Sequence, residues 1–213
     1  MRAPVRVSLA SSNPGKLAEY RTLTEAAGPA LSPGTGIALG LLPGIESLPA
    51  FEEDAPTFAE NAAGKALHYS RFCGGLVFAD DSGLVVHALD GAPGVLSARY
   101  AGPGATGADR NAKLLRELRN VSGRERTAYF VCAIALAERG RAKAIVTARV
   151  DGEILEAPRG GRGFGYDPVF YVAELGKGFA EISTEEKNEY SHRGRAFRKL
   201  LTFLSYDIVT DHP

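Results

Sequence analysis

The sequence predicts an α/β protein built on a mixed sheet. Short apolar runs of strand type alternate with segments of helical periodicity, and two long strand-like stretches follow each other directly, as in an antiparallel hairpin. Composition agrees. The chain has 213 residues, 45% hydrophobic and 23% charged, which suits an ordinary globular protein and argues against disorder. That length allows one large domain or two small lobes and buries enough surface to need no disulfide or metal staple. Twenty-five basic residues balance twenty-five acidic ones, so no global field attracts nucleic acid. Two cysteines, Cys73 and Cys132, lie in apolar surroundings and read as buried thiols of a reducing cytosol. The longest apolar run, 129–137, is half a membrane span, and MRAPVRVSLA lacks the apolar core of a signal peptide. The expectation is a soluble cytoplasmic protein with no membrane and no nucleic-acid partner.

Val5–Ala10 alternates as a first strand. Asn13 then offers an N-cap, Pro14 suits the first helical position, Leu17, Tyr20, Leu23, Thr24 and Ala27 recur at helical spacing, and Gly28 suits the stop. Residues 29–50 read as irregular chain with one short strand. Thr57 and Glu60 form a capping box for a second helix, with Phe58, Ala62, Ala66, Tyr69 and Phe72 inside and Gly74 ending it. Leu76–Ala79 reads as a buried strand that ends in Asp80-Asp81-Ser82-Gly83. Leu84–Leu89 reads as another strand, and 91–94 as a turn. Thr106 caps a third helix with Ala108, Ala112, Leu115 and Leu118 toward the core. Thr127–Ala137 and Ala142–Val150 form the hairpin. A Gly-rich loop over 159–167, a short strand at Val169–Val172 and a last helix capped by Ser191, with Phe197, Leu200, Leu201 and Leu204 inside, complete the chain.

Four segments can carry chemistry. Ser11, Ser12, Asn13, Pro14, Gly15 and Lys16 form a strand-to-helix turn, and amides at a helix N-terminus beside a lysine suit a phosphate. The Gly spacing of a P-loop is absent, and a capped helix with a surface lysine is the plainer reading. Asp80 and Asp81 are adjacent acids at the end of a buried strand, where α/β sheets place ligands. With Glu52, Glu53 and Asp54 upstream they suit a hard Mg²⁺ ion, although a solvated Asx-turn fits the same residues. Gly160 to Asp167 holds four glycines in six residues, with Phe164 and Tyr166 as stacking surfaces for a base or as core aromatics of a turn. Lys187, His192 and Arg193 flank a helix start and can read an anion or a base edge, or simply form surface charge. Four histidines without HxxxH or His-Cys pairing argue against zinc, and no Gly-x-Ser-x-Gly elbow is present. Together these segments suggest a Mg²⁺-dependent nucleotide enzyme.

SSNPGK, TFAENAAGKA, ADDSGLVVHALDGAPGVLSARYAG, GFGYDPVF and EKNEYSHRGRA, in that order and spacing, closely resemble the inosine triphosphate pyrophosphatase family. The motifs run from residue 8 to about residue 200. The resemblance implies a single domain over 1–213, with two lobes around an elongated mixed sheet and a central cleft. It implies a Mg²⁺-dependent homodimer that hydrolyses the deaminated purine nucleotides ITP, dITP and XTP to the monophosphate and pyrophosphate, cleansing the nucleotide pool.

Carried over by position, the triphosphate segment falls on Ser11, Ser12, Asn13, Pro14, Gly15 and Lys16. The catalytic acid and metal ligand falls on Asp81, and a second metal ligand aligns best with Glu52, the adjacent Glu53 being the alternative. Substrate contacts fall on Ser82, on the base segment Phe164, Gly165, Tyr166 and Asp167, and on Lys187, His192 and Arg193. Lys65 is expected to help Lys16 neutralise the triphosphate. A related pyrophosphatase for other modified nucleotides, or a non-catalytic nucleotide-binding protein, are the alternatives.

Overall fold

A computed structural model describes residues 5–27 and 37–210, with side chains as far as residue 205. Strand β1 (Val5–Leu9) leads into α1 (Pro14–Ala27), then β2 (Ile37–Leu41), α2 (Phe58–Tyr69), β3 (Leu76–Val86) and α3 (Gly107–Glu117). The hairpin strands β4 (Thr127–Glu138) and β5 (Arg141–Ile154) follow, then β6 (Phe170–Val172), β7 (Lys177–Gly178), α4 (Thr184–Tyr190) and α5 (His192–Thr210). The strands hydrogen-bond in the order β2-β1-β3-β4-β5-β6-β7. β1 pairs parallel with both β2 and β3, whereas β6 pairs antiparallel with β5 and β7. The sheet is therefore mixed, as the sequence predicts. Its β4–β5 connection is the two-residue turn Arg139-Gly140, with φ of 49° and 75°. Two consecutive positive φ values match the right-handed strand twist, which makes this the favoured short hairpin turn.

The chain packs as two compact units, one of Met1–Asp81, Cys132–Ala148 and Gly194–Pro213, the other of Ser82–Val131 and Arg149–Arg193. The first holds two apolar clusters. One joins Val7, Leu9 and Phe78 to Tyr20 and Leu23 of α1 and to Phe197, Leu200 and Leu204 of α5. The other joins Val77 and Ala79 to Ala62, Ala66 and Tyr69 of α2. The second unit is built on Leu84, Leu114, Leu118, Phe130, Phe170 and Phe179. Among the described residues, no helix is long and apolar enough to cross a membrane.

Five local expectations are corrected. Leu76–Ala79 and Leu84–Leu89 are not separate strands, because β3 runs unbroken through 80–83 and ends at Val86. The α3 face is rotated: Asn111, Leu114 and Leu118 are buried while Ala108 and Ala112 are exposed, since small residues gain little from burial. Phe72 lies beyond the end of α2 and is exposed. Cys73, read as a buried thiol, is only half-buried, and residues 184–190, to which the sequence reading assigns no element, form α4, capped by Ser183 on Glu186 N at 3.1 Å. The expected stop at Gly28 lies outside the described residues.

Arg126 ties the second unit together. It is buried and donates through Nε to Ile154 O at 2.7 Å, through Nη1 to Leu118 O at 2.8 Å and Val121 O at 2.9 Å, and through Nη2 to Leu155 O at 2.8 Å. These carbonyls lie where α3 and β5 end and the regular ladders run out; Leu118 O accepts from Val121 N as well, at 3.0 Å. Only a planar fork of donors spans all four. Arg126→Met is expected to cost about 2–4 kcal/mol by urea denaturation. Arg126→Lys should recover less than half of that. A lysine variant as stable as the parent would contradict the assignment.

Candidate active site

The acid pair lies inside β3. Asp80 is fully buried and Asp81 is 6% exposed. Successive residues of a strand point to opposite faces, so the two carboxylates cannot share one ion by adjacency. Asp80 follows the parity of Phe78, toward α1, where Lys16 Nζ reaches its Oδ1 at 3.1 Å and its backbone carbonyl at 3.2 Å. Asp81 follows the parity of Val77 and Ala79, toward α2, where Asn61 Nδ2 donates to its Oδ2 at 3.0 Å. Asp80 is thus the counter-ion of Lys16, and Asp81 is the carboxylate set apart.

Lys16 is aimed by its helix start. Asn13 Oδ1 accepts from Gly15 N at 2.9 Å and Lys16 N at 3.3 Å, and Ser11 Oγ accepts from Asn13 N at 3.2 Å. The cap already engages these amides, so a phosphate here would meet the positive helix end and the Lys16 side chain more than unfilled N–H groups. Ser12, Asn13 and Pro14 are exposed while Ser11 is buried.

On the α2 side, Thr57 caps the helix by accepting from Glu60 N at 3.2 Å. One turn in, Asn61 is buried. Besides reaching Asp81, its Oδ1 accepts from Ala55 N at 3.0 Å and its Nδ2 donates to Ala55 O at 3.3 Å, which ties the acidic loop to β3. Sequence reasoning missed Asn61, whose signal was an amide beside the apolar stripe of α2. Lys65, one further turn along, pairs with Glu53. Burial disfavours its charge, but Glu53, then Asp80 and Asp81, outweigh this and lift its pKa above the ordinary lysine value.

Asp81 has the opposite problem. Burial, and next the charge of Glu53, raise its carboxyl against the lowering by Lys16 and the Asn61 hydrogen bond, pushing it up to about 6. Negative charge is therefore in excess around Asp81, and a divalent cation would relieve it. No three His, Cys, Asp or Glu side chains converge among the described residues. The donor set, one or two carboxylates, is of the kind that suits Mg²⁺, which fills its octahedron with phosphate oxygens and water. The acidic-loop residue in the field of Asp81 is Glu53; Glu52 is exposed.

The remaining residues assemble in the second unit. Arg193 is buried and its Nη2 donates to Ser82 Oγ at 2.7 Å. Its guanidinium carbon lies 5.6 Å from the centre of the Phe164 ring, and Lys187 Nζ lies 4.8 Å from it. Lys187 also pairs with Asp167 Oδ2 at 2.6 Å, both side chains being buried. The same oxygen accepts from Phe164 N at 2.8 Å. Gly163 permits this: it has φ of 72°, and a Cβ there would lie 2.1 Å from Asp167 Oδ2. Tyr166 is buried with its hydroxyl on Ser97 O at 2.9 Å, and His192 stacks on Phe130 with centroids 4.7 Å apart and an interplanar angle of 9°. Asp167 and Tyr166 therefore shape the loop from within, while Phe164 is half-buried.

The titration of Asp81 makes a stability prediction. A carboxyl that titrates at about 6 folded and 3.8 unfolded holds its proton more tightly in the folded protein. The stabilisation is full below pH 3.8 and is lost as the pH rises through 6, up to about 3 kcal/mol in all. Asp81→Asn carries no such loss. In chelator, its stability relative to the parent should rise between about pH 4 and pH 6 and favour the variant by about 1–3 kcal/mol at pH 7.5. A parent more stable than the variant at pH 7.5 would contradict the electrostatic account.

Residues 7–203 match the model of the Ham1 family. A dITP/XTP pyrophosphatase of Geobacillus kaustophilus is 50% identical over 194 residues, covering 91% of each chain. One of Geobacter sulfurreducens is 45% identical over 201 residues, 94% of this chain and 97% of the relative. The solved structure of a HAM1 protein from Coxiella burnetii superposes with a TM-score of 0.82 at 42% identity, over 95% of this chain and 99% of that one. A family match over nearly the whole length, on a fold with the same architecture, identifies this chain as a member of the Ham1 family.

Proposed function

We propose that this protein is a nucleoside triphosphate pyrophosphatase that hydrolyses deaminated purine nucleotides, dITP, ITP and XTP, to the monophosphate and pyrophosphate. The observation that carries the reading is the composition of β3. Consecutive residues supply Asp81, in the field of Lys16, and Ser82, the partner of the Arg193 guanidinium beside Phe164. One strand thus supplies, at two consecutive positions, a carboxylate for phosphate chemistry and a hydroxyl that sets the base-reading guanidinium. The names of the Geobacillus and Geobacter relatives support the same substrate class.

In this reading Lys16 and Lys65 neutralise the triphosphate, with the Ser11–Lys16 turn beside it. Asp81 orients the water that attacks the α-phosphorus and takes up part of its proton as pyrophosphate leaves. Asp81 with Glu53, or with Glu52 one residue away, would hold Mg²⁺, which when bound supplies charge neutralisation and a more acidic water. Phe164 stacks on the purine, and Arg193, set by Ser82, donates to the 6-oxo group. A 6-amino group offers donors where the site also presents donors, leaving both unpaired, which is how adenine is rejected. His192 braces the helix start against Phe130. A cytoplasmic homodimer completes the proposal and rests on the family resemblance.

Pyrophosphate release from ITP, XTP, GTP and ATP with Mg²⁺ tests the reading. ITP and XTP should be turned over far faster than ATP, and excess EDTA should stop the reaction. Phe164→Ala should weaken ITP, GTP and ATP alike, by the roughly 1–3 kcal/mol that one stacked base is worth. Arg193→Ala should reduce kcat/KM for ITP more than for ATP. Collapse of selectivity in Phe164→Ala, with a uniform loss in Arg193→Ala, would make Arg193 a phosphate clamp instead.

A further inference from the structure

The Phe164 loop is anchored at three consecutive residues. Phe164 N donates to Asp167 Oδ2, Tyr166 Oη donates to Ser97 O, and between them Gly165 O accepts from Asn111 Nδ2 at 3.1 Å. The middle anchor comes from α3, on whose core face Asn111 sits beside Leu114 and Leu118, 5% exposed, where an apolar side chain would ordinarily pack. Gly165 needs it most. Its φ of 62° is left-handed, and no neighbouring atom lies within 4 Å of the position a Cβ would take, so side-chain packing does not fix this peptide.

We propose that Asn111 is a positioning residue for the base-stacking ring: by holding the Gly165 carbonyl it fixes the Gly165–Tyr166 peptide, and with it the backbone turn at the glycine that follows Phe164, and so sets the ring's plane beside Lys187 and Arg193. This rests on the reading of Phe164 as the purine stack. A buried amide on a helix face costs stability unless its bonds serve a purpose, and the bond made here lies one residue from the recognition side chain. Stacking does not distinguish exocyclic groups, so loss of the anchor should act on every purine triphosphate equally.

The test is a double-mutant cycle between positions 111 and 164. Asn111→Asp, nearly isosteric, replaces the donor by an acceptor; Asn111→Ser removes it with less electrostatic disturbance should the Asp variant fold poorly. Each should raise KM for ITP, GTP and ATP together by roughly 3–10-fold with kcat nearly unchanged, as for loss of one buried hydrogen bond. In the Phe164→Ala background the same substitutions should change KM less than about twofold, because the ring they position is gone. Equal effects with and without the ring would overturn the inference and make Asn111 a purely structural residue. Were Phe164→Ala itself to leave KM unchanged, the stacking assignment would fall and this inference with it, a pattern distinct from additivity.

Discussion

Burying two adjacent carboxylates inside one strand is the constraint around which the described site is arranged. A lone buried carboxylate is costly enough to take up a proton instead of keeping its charge. β3 meets that cost differently on its two faces. Toward α1 the answer is a lysine in direct contact, so Asp80 is a compensated ion pair. Toward α2 Asn61 donates to Asp81, and Lys16 also lowers its carboxyl, but burial and the charge of Glu53 outweigh both and push it up to about 6. An under-compensated carboxylate lowers the stability of the metal-free protein but is suited to hold a cation and a water. The strand's alternation, more than the acid pair as such, makes the two residues inequivalent.

The second unit solves a different problem, keeping an aromatic ring available in a loop rich in glycine. Such a loop loses much conformational entropy on ordering and needs several fixed points. Asp167 supplies two of them by accepting both a backbone amide and the Lys187 ammonium, and burial of that pair makes each partner dependent on the other. Lys187 and Arg193 then bring two cations to the Phe164 ring, one tied to Asp167 and one to Ser82. Arg126 and Arg193 illustrate one guanidinium used in two ways: the first satisfies carbonyls, the second faces a hydroxyl and a ring.

Much of this was legible from residue types. Asn13, Thr57 and Thr106 cap helices as read, because a short polar side chain before an apolar periodic run has few other low-energy uses. Arg139-Gly140 closes the hairpin for the same kind of local reason. The misreadings share a cause in tertiary context. Asp80 to Gly83 has the composition of a turn, yet buried partners on both faces keep it extended. On α3 an apolar count favours Ala108 and Ala112, but Asn111 is inside, where its amide donates to Gly165 O. Likewise Asp167 and Tyr166 stand within the proposed base segment but bond to the protein itself, which residue types alone do not distinguish from the role proposed for Phe164. Glu53 could be told from Glu52 only by knowing where Lys65 points.

The central claim is the inequivalence of the two acids of β3, and it is tested most directly by kcat for ITP hydrolysis in Asp81→Asn and Asp80→Asn, each shown to be folded by its thermal transition. The account predicts a loss of roughly 10²–10⁴ in kcat for Asp81→Asn, the range for a positioned acid–base group, and no more than about tenfold for Asp80→Asn. Equal losses at both positions would contradict it, since they would mean that the two carboxylates serve one shared site.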